Sequence, residues 1–221
     1  MATYIGIDGF RGGWVAVYID EKGGRYFDYS HSLDNLIAVP HTRAMIDLPV
    51  GLPDRGYRQC DVEAREQVGS RVFLGARWGV WGFEHYKDAN EHYWGKGDKG
   101  ISRQLWCIRS KLREVNIPMS PARQAKLKET HPELVFWRLA GGNLHNKKSE
   151  TGRQQRLRLL REQGISEIDL WLKMRQETGI ARDDMIDACV CALAARDSKD
   201  RLPRTKKSPK DRRGIRMEMW Y

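Results

Sequence analysis

The chain has 221 residues, of which 39 are Lys or Arg and 29 are Asp or Glu, so its formal net charge is +10 at pH 7. This length is sufficient for a sizeable hydrophobic core, and one compact domain with insertions is predicted. No apolar run approaches the roughly 18 residues of a membrane span, and the first residues lead directly into a strand. Neither a membrane anchor nor an export signal is therefore expected.

The charge and the cysteines predict the partners and the compartment. An excess of basic residues favours a polyanionic partner, nucleic acid before a membrane surface, although a merely solvated basic surface explains the same composition. The four cysteines show no C-x-x-C spacing: Cys60, Cys107, Cys189 and Cys191. They are typical of reduced core residues, so a cytoplasmic location is predicted.

The first predicted elements form an antiparallel meander. Three apolar runs separated by glycine-rich turns are predicted as strands, at residues 4–8, 14–20 and 25–29. A short helix at 32–38 then precedes a fourth strand at 43–47. Because a helix separates this strand from the meander, the right-handed crossover rule allows it to lie parallel to the first strand. Asp8 and Asp47 would then end neighbouring parallel strands.

The middle of the chain mixes helices with one segment rich in glycine and aromatic residues. A helix is predicted at 58–68, and residues 77–100 are predicted to be an irregular insertion. The rings of this insertion suit either the stacking of nucleobases or, more commonly, packing on one another as a lid over a core. A helix, a strand and a helix are then predicted, at residues 101–115, 125–130 and 131–137.

The segment 183–195 carries the most informative pattern. Small and apolar residues at most positions predict a helix that packs closely against a sheet. Asp183 suits the first turn of this helix, where it accepts hydrogen bonds from free backbone N–H groups. Asp187 lies one turn further inside the apolar face, where an unpaired carboxylate is costly. Its expected partner is either a metal ion or one of the many arginines.

Basic residues lie on both sides of this helix. Lys147 and Lys148 lead, with several arginines, into an amphipathic helix, which is usually a solvated face and sometimes a phosphate-binding one. A further helix is predicted at 166–178. Residues 196–213 are predicted to be a flexible basic segment that follows a phosphate backbone, and residues 214–221 an edge strand.

The order of elements and the places of the acids predict a ribonuclease H-like fold over residues 1–195. This fold is an α/β structure with a mixed five-stranded sheet, in which an antiparallel meander is joined by parallel strands and flanked by helices. Carboxylates that converge from the first strand, the fourth strand and the last helix hold two divalent ions about 4 Å apart for phosphodiester cleavage. Oxygen ligands favour Mg²⁺ or Mn²⁺ over zinc. Glu129, near a strand end, is a further candidate ligand.

Several motifs occur in order along nearly the whole chain. They include Gly6-Ile7-Asp8-Gly9, Ile46-Asp47-Leu48-Pro49, Arg58-Gln59-Cys60-Asp61, Ser102-Arg103-Gln104, His131-Pro132-Glu133 and Asp184-Met185-Ile186-Asp187. In this order they resemble the domain of unknown function 429 (DUF429) family, which is described as predicted nucleases with a ribonuclease H-like fold. The resemblance implies four catalytic metal ligands, Asp8, Asp47, Asp184 and Asp187. It also implies four substrate contacts, Arg58, Asp61, Arg65 and Lys111.

Three functions are compatible with these residues. The preferred one is a metal-dependent nuclease, in which Asp8 and Asp47 bridge the metals. The second is a non-catalytic nucleic-acid-binding or adaptor protein that keeps the fold. The third is a nucleotide-binding phosphotransferase, because Asp8-Gly9 before a glycine turn also resembles the phosphate hairpin of the actin and sugar-kinase superfamily. Such proteins generally need two domains around a cleft, and one candidate hairpin is present. The sequence predicts neither RNA nor DNA in preference and no particular oligomeric state.

Overall fold

A mixed sheet organises the first part of the chain. In the computed structural model, which describes residues 2–221, five strands form this sheet: β1 Thr3–Phe10, β2 Gly13–Asp20, β3 Arg25–Ser30, β4 Arg43–Ile46 and β5 Leu127–Glu129. Their order across the sheet is β3-β2-β1-β4-β5. The first three strands are antiparallel neighbours, whereas β4 pairs in parallel with both β1 and β5. The predicted five-stranded mixed α/β sheet is therefore confirmed.

Helices form most of the remaining regular structure of the described residues. In chain order they are α1 Leu33–Ile37, α2 Gln59–Val68, α3 Tyr86–Gly95, α4 Arg103–Cys107, α5 Arg109–Asn116, α6 Pro121–Lys126, α7 Pro132–Ala140, α8 Glu150–Glu162, α9 Ile168–Met174 and α10 Arg182–Asp197. Two short strands, β6 Arg201–Leu202 and β7 Met219–Trp220, pair with each other. None of the described helices is both long enough and apolar enough to span a bilayer.

The described chain divides into two units. The first unit contains the five-stranded sheet and comprises residues 2–47, 125–200 and 220–221. The second unit comprises Leu48–Gln124 and Arg201–Met219. The division predicted from composition, at residues 195 and 213, follows the chain linearly, whereas these two units interleave along it.

Helix α10 is the central helix of the first unit. Every residue from Met185 to Ala195 is buried, and the helix packs against β1, β2 and β4. Alanines and cysteines predominate from 188 to 195. Because these side chains are small, the helix backbone can approach the sheet closely. Because the helix is enclosed on all sides over these residues, it lacks the polar face of a surface helix.

The first strand is longer than its sequence pattern predicts. β1 does not end at Asp8 but continues to Phe10, because its pairing with β2 extends to the pair Phe10 and Gly13. Only Arg11 and Gly12 remain for the turn of the hairpin. The parallel pairing of β1 with β4 ends earlier, at Ile7. Asp8 is therefore the first residue beyond the β4 pairing, although it lies inside the strand.

Residues 77–100 contain a helix that the prediction of an irregular insertion missed. Helix α3 buries Ala89, Asn90 and Tyr93 on one face. The side chain of Asn90 accepts a hydrogen bond from the N–H of Ile101 at 2.8 Å and donates to the carbonyl of Tyr86. Several aromatic rings of the segment contact one another, including Tyr93, whose ring centroid lies 6.0 Å from that of Phe83. The segment packs its own rings, as the lid interpretation expects.

The last part of the basic segment 196–213 belongs to the second unit and makes defined contacts there, so the prediction of flexibility is wrong for that part. Asp211 is buried and accepts a hydrogen bond from the N–H of Leu52. The guanidinium of Arg213 donates to the carbonyls of three residues, Asn116, Ile117 and Met119. The composition of the segment does not reveal these contacts, because they join residues 94 to 159 positions apart in the sequence.

Candidate metal centre

Strand pairing places the first two carboxylates. Ile7 and Ile46 are partners in the parallel pair of β1 and β4, and the N–H of Asp47 donates to the carbonyl of Ile7 at 3.0 Å. Asp8 and Asp47 follow these partners directly, so they extend from the same edge of the sheet. Asp8 Oδ1 also accepts a hydrogen bond from the N–H of Gly9 at 2.6 Å, which fixes its orientation.

A glycine on β1 allows α10 to bring the third carboxylate. A Cβ atom on Gly6 would lie 1.9 Å from the backbone nitrogen of Ala192 and 2.3 Å from the carbonyl oxygen of Ala188. The helix backbone therefore lies directly against the strand at this point. Gly6 and Asp8 are two residues apart and face the same side of the sheet. Asp187, the residue before Ala188, therefore lies close to the side chain of Asp8.

Three carboxylates form the cluster that results. One carboxylate oxygen from each of Asp8, Asp47 and Asp187 lies within 4.8 Å of the other two. Asp187 is 3 % exposed and Asp8 9 % exposed, while Asp47 retains more contact with solvent. Asp187 Oδ1 is buried and makes no hydrogen bond with any described residue. A buried carboxylate oxygen without a donor is the atom that a cation would satisfy.

The side chains fit a hard divalent cation. All three candidate ligands are carboxylates, which are the ligands that Mg²⁺ and Mn²⁺ prefer. Their spacing lets a single ion contact more than one of them. The cluster can therefore bind a metal ion, and its donor set does not distinguish Mg²⁺ from Mn²⁺.

One basic side chain partly neutralises the cluster. Lys147, in the loop between α7 and α8, donates from Nζ to Asp187 Oδ2 at 2.6 Å. Burial lowers the pKa of Lys147, but the carboxylates of Asp187, Asp47 and Asp8 together outweigh this effect, and the net result is a raised pKa. The sequence favoured an arginine as the basic partner of Asp187, and the structure has a lysine in that place. It occupies one oxygen and leaves Oδ1 without a donor.

Crowding makes the acids of this cluster difficult to ionise together. Burial raises the pKa of Asp8 well above its ordinary value, and the neighbouring carboxylates, Asp47 foremost, add to the rise. Burial likewise raises the pKa of Asp47 and of Asp187, while the charge of Lys147 opposes the rise in both. Like charges held close in a poorly solvated place favour protonation or the binding of a cation.

Asp184 and Glu129 lie outside the group of three. Asp184 Oδ2 accepts a hydrogen bond from the N–H of Ala181 at 3.2 Å, so this side chain caps the start of α10. Burial nevertheless raises the pKa of Asp184 to about 6, and the charge of Asp187 contributes to that rise. Glu129 is buried at the end of β5, where it pairs in register with Ile46. The metal-ligand roles of both residues stay predictions.

A buried ion pair lies behind the cluster. Glu133, in the first turn of α7, accepts hydrogen bonds from two nitrogens of Arg156 on α8, at 2.7 to 3.1 Å. Arg156 is 1 % exposed and also donates to the carbonyl of His145, two residues before Lys147. The negative charge of Glu133 contributes to the raised pKa of Asp47 and Asp187. This pair therefore connects α7, α8 and the lysine loop.

Two of the four predicted substrate contacts are buried in the second unit. The guanidinium of Arg58 donates to both carboxylate oxygens of Asp61, with Nε 2.9 Å from Oδ2, and both side chains are 1 % exposed. Arg65 lies one turn further along α2 and is exposed, while Lys111 on α5 is partly exposed. The substrate roles of these four residues stay predictions, and the two with exposed side chains are the better placed for them.

Sequence reasoning missed Lys147, Glu133 and Arg156 as members of the site. The ion pair of Lys147 and Asp187 joins residues 40 positions apart, and nothing local in the sequence specifies it. The only available signals were the paired lysines before α8 and the acid in the first turn of α7. Both are common features of surface helices.

Comparisons with known proteins give one match. No curated protein and no solved structure matches the chain. A family model described as "Protein of unknown function (DUF429)" matches residues 6–210. Because this range covers most of the 221 residues, the chain belongs to the DUF429 family.

Proposed function

We propose that this protein hydrolyses phosphodiester bonds of nucleic acid with the help of divalent cations. The observation that supports the proposal most strongly is the convergence of Asp8, Asp47 and Asp187 from two strands and one helix. A structural role alone does not account for three clustered carboxyl groups whose pKa is raised by burial and by neighbouring acids at the edge of a sheet. Strongly shifted carboxyl groups of this kind are concentrated at functional sites.

The four carboxylates would have different roles, according to their positions in the site. Asp8, Asp47 and Asp187 would hold the cation, with the orphan Oδ1 of Asp187 as one ligand atom. Asp184, whose carboxylate caps α10 at the rim, would complete the shell or bind a second ion. When bound, Mg²⁺ or Mn²⁺ supplies positive charge that polarises the phosphate and activates water.

The net charge supports nucleic acid as the substrate class. A formal charge of +10 attracts a polyanion and favours contacts with a phosphate backbone. Arg65 and Lys111 would provide such contacts from the second unit, and Arg58 with Asp61 would maintain the local structure of α2. The proposed partner is therefore RNA or DNA, and the proposed location is the cytoplasm.

The test combines cation binding with cleavage. Mn²⁺ is titrated calorimetrically into metal-free wild type, Asp8→Asn and Asp183→Asn, and each protein is then incubated with single-stranded, duplex and branched RNA and DNA. We expect the wild type to bind Mn²⁺ and to cleave at least one substrate. Asp8→Asn should lose both properties, while Asp183→Asn, which removes the same charge from the first turn of α10, should keep them.

The ion pair of Lys147 with Asp187 favours one alternative, a nucleic-acid-binding protein without catalysis. A lysine that neutralises the cluster allows the fold to persist without any metal. This alternative predicts that the wild type binds nucleic acid but neither binds Mn²⁺ nor cleaves, and that Asp8→Asn leaves the affinity for nucleic acid unchanged. The phosphotransferase alternative has no support in the fold, because the second unit contains no described hairpin like that of β1 and β2.

A further inference from the structure

Lys147 lies on the solvent side of the carboxylate cluster. Its side chain is 35 % exposed, whereas that of its partner Asp187 is 4 % exposed. The ammonium is near enough to Asp47 and Asp8 for its charge to act on both. Within the ion pair, Lys147 is therefore the side chain that a ligand from solvent can reach.

The loop that carries Lys147 is held by a set of hydrogen bonds. The carbonyl of Asn146 accepts from both the N–H and the hydroxyl of Ser149, at 2.9 and 2.7 Å. The N–H of His145 donates to Gln155 Oε1 at 3.0 Å, and Arg156 donates to the carbonyl of His145 at the same distance. The backbone on both sides of Lys147 is therefore fixed from α8.

Close packing at Gly152 adds to this support. A Cβ atom on Gly152 would lie 2.1 Å from the carbonyl oxygen of Asn146, so the loop lies directly against the first turn of α8. The position of Lys147 is thus set by the fold, and it is not that of a freely moving surface lysine. Only the side chain beyond Cβ can move between the carboxylates and solvent.

We propose that Lys147 is a substrate-binding residue whose ammonium stays on Asp187 until a divalent cation takes its place, and then contacts a phosphate group of the substrate. The proposal rests on the proposed function, because it needs a cation at the carboxylates. A divalent cation beside Asp187 repels the ammonium, which has an exposed path away from the cluster. A phosphate group beside the cluster offers the released ammonium a new anionic partner.

The hydrogen bond of Lys147 to Asp187 should lower the affinity of the cluster for a cation. A cation that binds Asp187 must first displace the ammonium from Oδ2, so the lysine competes with it. Removal of the lysine charge should therefore strengthen cation binding and weaken binding of the phosphate backbone. A lysine that only stabilised the loop would not produce these opposite effects.

The experiment compares Lys147→Met with the matched control Lys148→Met, which removes the same charge from the next residue. Mn²⁺ is titrated calorimetrically into each metal-free protein. A fluorescently labelled single-stranded oligonucleotide is then titrated in the presence of Ca²⁺, with binding followed by anisotropy. We expect Lys147→Met to bind Mn²⁺ about tenfold more tightly than wild type and the oligonucleotide about tenfold more weakly. Lys148→Met should keep the Mn²⁺ affinity of wild type.

Two results would overturn the inference, and they differ in what they say of the proposed function. If wild type and Lys147→Met bind Mn²⁺ with equal affinity, the lysine does not compete with a cation, while the cation site itself stands. If neither protein binds Mn²⁺, the inference and the proposed function fail together. Lys147→Gln serves as a second variant, so that a local packing defect of the methionine does not decide the outcome.

Discussion

The N–H of Asp47 donates to the carbonyl oxygen of Ile7 at 3.0 Å, one residue beyond the last paired residues of β1 and β4. This single backbone bond aligns two carboxylates, Asp8 and Asp47, that are 39 positions apart in the sequence. It joins two backbone groups and so does not depend on either carboxylate. The third carboxylate has a different origin, because Asp187 reaches the cluster only through the packing of α10 on Gly6.

Gly6→Ala should therefore distinguish the contribution of α10 packing to the cluster from that of strand pairing. The added methyl group meets the backbone of α10 at Ala188 and Ala192, which cannot move aside as a flexible side chain would. We expect a loss of about 3 kcal/mol in the free energy of unfolding, measured by urea denaturation. We also expect weaker Mn²⁺ binding, because α10 carries Asp187 away from Asp8.

Gly142→Ala is the matched control for this prediction. A Cβ atom at Gly142 meets no heavy atom within 4 Å, and the residue belongs to the same unit. Its stability should stay within about 0.5 kcal/mol of wild type. Equal stability of the two variants would show that α10 does not lie against Gly6 as described.

The strand acids were predictable because strands have a local signature. Alternating or continuous apolar runs that end near an acid predicted both Asp8 and Asp47, and the crossover rule placed their strands side by side. The small residues of α10 predicted a buried helix, and hence that Asp187 needed a partner. The partner of Asp187 is Lys147. Lys147 lies on a loop whose position is set by Arg156 and Gly152. Side-chain contacts between distant elements have no local pattern from which to predict them.

The raised pKa of Asp184 predicts how stability depends on pH in the metal-free protein. Its pKa is about 6 in the folded state and about 4 when unfolded, so the folded protein binds more protons between these values. The contribution of Asp184 to the free energy of unfolding should therefore fall as pH rises through this window and level off above it. Because Asp184 is partly exposed, solvent screening limits the effect to about 1 kcal/mol.

Asp184→Asn isolates this contribution from other titrating groups. Thermal unfolding of wild type and variant is measured in chelator at pH 5 and pH 7.5. The variant should gain stability relative to wild type at the higher pH, because asparagine keeps the polar cap without the charge. A stability difference that is the same at both pH values would contradict the assigned environment of Asp184.

The four cysteines predict a simple pattern of thiol reactivity. Cys107 is exposed, whereas Cys60, Cys189 and Cys191 are buried. Burial raises the pKa of the Cys189 and Cys191 thiols, so these two are both inaccessible and protonated. A chromogenic disulfide reagent should react rapidly with one thiol in the native protein and with all four in denaturant. Cys107→Ser should remove the rapid reaction. A second rapid thiol would show that Cys60 on α2, or one of the two cysteines on α10, is not buried.

Substitution of Arg65 on α2 and Lys111 on α5 should affect nucleic-acid binding, whereas substitution of the buried Arg58 should affect stability. Arg65→Ala and Lys111→Ala should each weaken nucleic-acid binding across all sequences and reduce its salt dependence by about one phosphate contact, with little change in stability. Arg58→Ala should instead destabilise the second unit, because it leaves Asp61 buried without the guanidinium. Anisotropy at several salt concentrations, together with urea denaturation, distinguishes the two classes. An unchanged salt dependence for both exposed variants would remove them from the substrate surface.

The ion pair of Glu133 and Arg156 predicts a large effect on stability and a smaller one on the site. Arg156→Met removes a bidentate partner and leaves the charge of Glu133 buried, which should lower the free energy of unfolding by about 3 to 5 kcal/mol. Arg156→Lys should recover little, since an ammonium cannot reproduce the two parallel hydrogen bonds. The matched control is Arg161→Met, which breaks a pair with Asp169 that is largely exposed and should lose at most about 1 kcal/mol.

Arg156→Met also tests whether Arg156 holds the loop that carries Lys147 in place. Arg156 donates to the carbonyl of His145, so its loss frees the loop and should weaken the hold of the lysine on Asp187. We therefore expect folded Arg156→Met to bind Mn²⁺ more tightly than wild type, in the direction expected for Lys147→Met. If the single variant does not fold, Glu133→Gln combined with Arg156→Met removes the unpaired charge and allows the titration. Wild-type Mn²⁺ affinity in these proteins would mean that the loop holds Lys147 without help from Arg156.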